Sequence, residues 1–569
     1  MRPALLRGET SAGSLPGEMS EGKIYMSRKL LRGVAAAGAI VALTAGCATT
    51  SDSGGSSSSQ NATAGDTTIS IGTTDKVTSL DPAGSYDNGS FFIMNQVYPF
   101  LLNTVPGATD MTPQPDIAES AEFTAPDEYT VKLKSGLKFA NGDDLTSSDV
   151  KFTFERQLKI ADPNGPSSLL GSLDSIETPD DTTVVFHLKN DNDQTWPQVL
   201  TSPAGPIVDE DVFPADKVLS DAEIVKAEPF AGQYTIDSYK VNELVSFKPF
   251  DGYKGSLGTV QNDGATLRYY ADASNMKLDI EQNAIDIAYR SLSATDIDSL
   301  SSNDSVKIVE GPGGEIRYSV FNLDTMPYGA KTDDADAAKA LAVRQAIADS
   351  IDREAIAKDV YKDTYTPLYS YVPEGLNGAT ESLKEKYGDG EGGPDVERAK
   401  QRLADAGVST PVTLNWQYNP DHYGPSSGDE YAAIKNQLEA TGLFTVNLQS
   451  TEWVQYSKDR TNDVYPIYQL GWFPDYSDAD NYLTPFFTAD NFVANHYDNA
   501  EVQKLIEEQV ATSDKDKRQS IIEKIQDEVA DDLPTLPLLQ GKQIAVVGKN
   551  VDGVDLDASF KLRLATVTK

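Results

Sequence analysis

The residues best equipped by type and spacing to do chemistry lie late in the chain, at positions 465–487, which read YPIYQLGWFPDYSDADNYLTPFF. Tyr465, Ile467, Tyr468 and Leu470 supply the aromatic and branched side chains of a buried strand, and Gly471 allows close backbone approach. Pro474 has a fixed φ and no N–H, so the strand must end there. That leaves the carboxylate of Asp475 at the strand's mouth, walled by Trp472, Phe473 and Tyr476. A carboxylate framed by aromatic rings suits a partly desolvated cation such as an ammonium. The same residues allow a plainer role, because the run SDAD at 477–480 has cap and turn chemistry and Asp475 could simply open the next helix. Residue chemistry alone leaves both open.

The pattern W-x-x-D followed by an acidic turn and NYLTPFF resembles the ligand-site segment of oligopeptide- and dipeptide-binding proteins that serve ABC importers (extracellular solute-binding proteins of family 5). In that family the Asp three residues after the Trp takes the peptide's α-amino group, and Asp475 matches it by position after Trp472. Other stretches carry the same resemblance: the Leu80-Asp81-Pro82 turn, the run LKFANGDDLTSSDVKFTFER at 137–156, and a strand pair ending at Tyr253 and Gly255. The Phe321-Asn322 pair and VRQAIADSIDREAIA at 343–357 extend it, so that it covers nearly everything after residue 66. It implies an α/β fold: a two-lobed, periplasmic-binding-protein-like clamp of type II with an extra inserted small lobe and mixed, mostly parallel sheets. It further implies a monomeric peptide-binding protein, not an enzyme, that hands its ligand to ABC permease and ATPase subunits without cofactor or metal. Asn322, Thr74 and Tyr86 are expected to line the site, with Arg290 as the cation for the ligand's carboxylate. An oligosaccharide-binding relative of the same fold, or a surface receptor without transport, are the competing readings.

The elements that must hold these residues can be read in turn. TISIGT at 68–73 and YTVKLK at 129–134 alternate as strands do. Asn141-Gly142 is a hairpin turn, and Ser147 or Ser148 is expected to cap the helix that follows. Gly311, Gly313 and Gly314 lack a following GK[ST], so they read as a turn or crossover rather than a phosphate loop. Between 395 and 460, helices closed by Gly407 and Gly442 alternate with strands at 412–416 and 445–448, which predicts βαβ units. Such sheets bind ligands beyond the strands' carboxyl ends, where Asp475 falls. The segment 535–547 reads as a strand returning to the first lobe. By resemblance the first lobe comprises 67–90, 211–310 and 533–569, the inserted small lobe 91–210, and the second lobe 311–532.

Composition narrows the class. A chain of 569 residues requires more than one lobe, and a formal charge of −39 argues against nucleic acid. Three histidines in unrelated contexts argue against a His-rich metal site, and one cysteine rules out an internal disulfide. No G-x-S-x-G or H-E-x-x-H motif is present. That single Cys47 follows Arg28, Lys29 and Arg32, a short apolar run VAAAGAIVAL, and LTAG. About ten apolar residues are too few to span a bilayer. The segment resembles a bacterial lipoprotein signal, with residues 1–46 removed and Cys47 lipidated; translation from Met26 would explain why 1–25 fit no signal region. Ser- and Gly-rich residues 47–66 then form a tether that holds the body at the outer face of the cell membrane.

Overall fold

The computed structural model describes residues 67–424, 426–489 and 491–569. The leader at 1–46, Cys47 and the tether to residue 66 lie outside the described residues. Three sheets, each with its own apolar core, organise the body.

The first is seven-stranded, in the order Val306–Gly311, Gln543–Gly548, Ile287–Tyr289, Ile69–Thr73, Ala265–Tyr269, Leu244–Pro249, Tyr234–Lys240. Ile69 and Ile71 are completely buried at its centre, as the alternation in TISIGT requires. The second is six-stranded: Tyr365–Pro367, Thr535–Gly541, Ile316–Phe321, Ile467–Trp472, Val412–Tyr418, Phe444–Ser450. The third, four-stranded and antiparallel, spans Ala118–Ala125, Glu128–Leu133, Thr183–Leu188 and Leu173–Asp180. Its core joins Phe154, Phe186 and Trp196 edge to face.

The α/β clamp of the sequence reading is present, but its mostly parallel sheets are not. Among the described residues only four strand pairs run parallel: Ile69–Thr73 with each of its neighbours and Val412–Tyr418 with each of its own. The βαβ unit expected between 395 and 460 is present, with helix Ser427–Ala440 linking two parallel strands. The rest is antiparallel, partly through consecutive strands such as Tyr234–Lys240 with Leu244–Pro249 and partly because the chain crosses between sheets. The segment 535–547 shows this best. It is two strands, not one: Thr535–Gly541 completes the second sheet, and only Gln543–Gly548 returns to the first. The crossing falls at Lys542, beyond the expected boundary at 533.

A second crossing, at 311–316, runs beside it. Gly541 N–H donates to the Glu315 carbonyl at 2.9 Å, and the Gln540 side chain donates to the Gly313 carbonyl at 2.8 Å. A Cβ on Gly313 would overlap the Gly541 carbonyl, which is why the two crossings can touch only through glycine. The cap at the small-sheet helix also differs from expectation. Thr146 precedes helix Ser147–Ile160 and forms a capping box with Asp149, leaving Ser147 and Ser148 inside its first turn.

Candidate functional site

Strand Ile467–Trp472 runs antiparallel to Ile316–Phe321, with Trp472 opposite Ile316. The end of one strand and the start of the other therefore share a rim, and Phe473, Pro474, Gly313, Gly314 and Glu315 line a cavity there of about 300 Å³. Its far wall comes from the first sheet and its surroundings: Tyr289, Arg290, Ser291, Ile544 and Phe560. Tyr361, Tyr365 and Tyr423 complete it from the second lobe. Gly471 serves this wall, because a Cβ there would sit 2.8 Å from the Tyr423 ring.

Asp475 is half-buried beside this chamber and does not cap the next helix; Asp478 does that, accepting from Asp480 N–H at 2.8 Å. Three side-chain donors, from Asn481, Trp472 and Tyr86, organise the Asp475 segment. Asn481 donates through Nδ2 to Asp475 Oδ2 at 3.0 Å. The Asn481 Oδ1 in turn accepts from Asp475 N–H at 2.9 Å and from Trp472 Nε1 at 2.9 Å. The third donor is Tyr86, whose hydroxyl reaches Asp475 Oδ1 from the first-lobe side. No cation pairs with Asp475 among the described residues. Burial pushes its carboxyl above the usual aspartate range, and the two neutral donors only partly oppose this. Burial and the Asp475 charge together raise the Tyr86 phenol.

The other expected residues separate into those the fold brings here and those it does not. Phe473 and Arg290 face each other across the chamber, with the guanidinium 5.9 Å from the ring centre. Arg290 also pairs with Asp75 at 3.4 Å. Trp472 packs against Phe486 and Phe492 and acts through Asn481 rather than facing the chamber. Tyr476 points elsewhere: it packs on the small-lobe core and donates to Asp480 at 3.3 Å. Thr74 donates its N–H to Ser291 at 3.3 Å, and its neighbours Thr73 and Asp75, not Thr74, line a smaller adjoining cavity of about 40 Å³.

Asn322 is not a site residue. It lies past the opposite end of strand Ile316–Phe321, about 20 Å from the chamber at roughly 3.3 Å per residue. There it is fully buried, donating to Asp463 at 2.9 Å and accepting from Asp324 and Thr325 N–H groups. Asn481, Glu315, Tyr361, Tyr365, Tyr423 and Phe560 escaped the sequence reading. Asn481 alone had a local signal, its place in the NYLTPFF run next to the acidic turn.

The fold and this cleft define a two-lobed solute-capturing protein. Residues 112–493 match the family model of bacterial extracellular solute-binding proteins, family 5 (middle region), and the chain belongs to that family. It is 23% identical over 509 residues to the dipeptide-binding protein of Escherichia coli strain K12, covering 85% of this chain and 90% of that one. It is 24% identical over 486 residues to heme-binding protein A of Haemophilus influenzae, covering 80% and 84%. The oligopeptide-binding protein AppA of Bacillus subtilis, solved with a nonapeptide, superposes with a TM-score of 0.63 at 21% identity, covering 88% of this chain and 98% of that one. The family is one of solute-binding proteins, not enzymes. Among the described residues no helix is long and apolar enough to cross a membrane.

Proposed function

We propose that this protein captures peptides between its two main lobes and delivers them to an ABC permease and its ATPase. Asp475, just past the chamber's lining residues Phe473 and Pro474, takes the peptide's α-ammonium, and Arg290 in the chamber wall takes its carboxylate. The observation that carries this reading is Asp475 itself: a desolvated carboxylate without a cation, held by neutral donors from both sides of the cleft. An incoming ammonium restores the charge balance that burial removes. The likeness to dipeptide- and oligopeptide-binding proteins supports it. Anchoring through a lipid on Cys47, with the body on the outer face of the membrane, rests on the leader pattern. The test is calorimetry with di- to pentapeptides: Asp475→Asn, still folded, weakens free-amino peptides at least tenfold. Unaltered affinity removes the assignment.

A second reading, capture of a ring-shaped solute such as a glycan or haem, draws on the tyrosine wall of Tyr361, Tyr365 and Tyr423 and on the heme-binding relative. In that case haemin or an oligosaccharide raises the unfolding temperature, and Asp475→Asn does not diminish the rise.

A further inference from the structure

The chamber holds a carboxylate that the α-ammonium does not use. Glu315 is the one acidic residue among the described residues lining it. Its side chain is 23% exposed, its Oε1 accepts from the Tyr365 hydroxyl at 2.7 Å, and no hydrogen bond reaches Oε2 among the described residues.

The charges around it do not cancel. Arg317, buried beneath, lies 3.7 Å from Glu315 but 2.7 Å from the fully buried Glu430, which also accepts from Arg317 Nε and Tyr361. That trio carries one surplus negative charge. The two cations lining the chamber have counterions of their own: Arg290 pairs with Asp75 at 3.4 Å, although the Glu315 charge also reaches it, and Lys542 pairs with Glu310 at 2.9 Å. The surplus therefore stays on Glu315, on the only member of the trio that faces the chamber. Tyr361, Tyr365, Tyr423 and Phe473 stand around the same space, and aromatic walls with a carboxylate at hand favour a cation that has shed part of its water. The chain's −39 charge adds a field that attracts positive solutes.

We infer that Glu315 is a specificity residue, a second seat for positive charge that selects peptides carrying a lysine or arginine side chain. This rests on the peptide reading above. Asp475 and Glu315 then divide the work: one reads the amino terminus that every peptide has, the other a side chain that only some have.

The experiment compares Ala-Lys-Ala with its neutral near-isostere Ala-norleucine-Ala, by calorimetry on the full folded protein. Wild type binds the lysine peptide at least tenfold tighter, and Glu315→Gln brings the two within threefold without weakening the norleucine peptide. Glu315→Asp, which keeps the charge one methylene shorter, retains part of the preference. Equal affinities in the wild type, or a preference untouched by Glu315→Gln, overturn the role of Glu315 while leaving peptide capture standing. Failure of the wild type to bind either peptide overturns both.

Discussion

The Tyr86 hydroxyl donates to the Asp475 carboxylate, and in doing so joins a segment next to the first sheet to the loop that ends a strand of the second. With Asn481 on the other oxygen, two of about four lone-pair sites on the carboxylate are used. An ammonium can still take the remaining ones. Tyr86 is thus a strap across the cleft that need not leave when ligand enters.

That arrangement predicts a kinetic signature for Tyr86→Phe. One half-exposed hydrogen bond to a carboxylate contributes about 1 kcal/mol, or roughly fivefold. Because the bond bridges the two sides of the cleft, the loss should appear as faster peptide release with an unchanged association rate. Stopped-flow traces of peptide-induced fluorescence give both rates; a slower association with unaltered release contradicts the strap.

Asp475 should also set a pH-dependent trade between stability and binding. Its folded-state carboxyl is raised by burial, so the folded protein holds this proton more readily than the unfolded chain. The stability it contributes is complete below the unfolded value and is lost as pH rises through the higher folded value. Asp475→Asn, which can keep both neighbours bonded as a neutral amide, should therefore unfold at a higher temperature than the ligand-free wild type at neutral pH. The advantage should vanish on acidification. Thermal scans across that range check both limbs, and a gap that widens toward low pH would reverse the sign argued here.

What the sequence disclosed and what it withheld follow from the range of each interaction. Asp475 was legible because Pro474 ends its strand locally, and the βαβ stretch because its glycine stops and apolar periods are local too. Asn322 misled because a residue near a strand end carries no mark of which end faces the cleft; the chain enters this strand at the chamber and leaves it at Asn322. Glu315 hid in a glycine-rich run that reads as a turn. Tyr361, Tyr423 and Phe560 come from segments far apart in the chain, and only the fold brings them round one chamber.

The Trp472 indole offers a way to separate packing from positioning. Trp472→Phe keeps an aromatic ring against Phe486 and Phe492 but removes the Nε1 donor to Asn481. Asn481 then loses one of the bonds that fix its amide, and with it the orientation of Asp475. Free-amino peptides should weaken about three- to tenfold, in line with roughly 1 kcal/mol for one bond. Their amino-acetylated counterparts, which cannot use Asp475, should not change. Equal losses for both peptide sets would assign the indole to packing alone.

A structural demand away from the site falls on Asp81 and Arg156, two residues from separate stretches that the fold joins. Arg156, on the small-sheet helix, forms a two-pronged pair with Asp81 at 2.8 and 2.6 Å, and both side chains are almost fully buried. Asp81 also accepts from Leu219 and Ala83 N–H groups, and Arg156 donates to the Pro214 and Lys217 carbonyls. Four of the five Arg156 N–H donors and all of the roughly four acceptor sites of Asp81 are thus used, close to the condition under which a buried pair is tolerated, while removing one partner strands the other. Asp81→Ala should cost about 3–5 kcal/mol, read as a lower urea midpoint. The survivors that remain folded should bind peptide as before, because the pair lies in none of the surfaces that meet the ligand. Replacing both residues with apolar side chains of similar volume should recover much of the loss, and a double variant as unstable as Asp81→Ala alone would show that the pair's worth lies in its charges rather than in their mutual satisfaction.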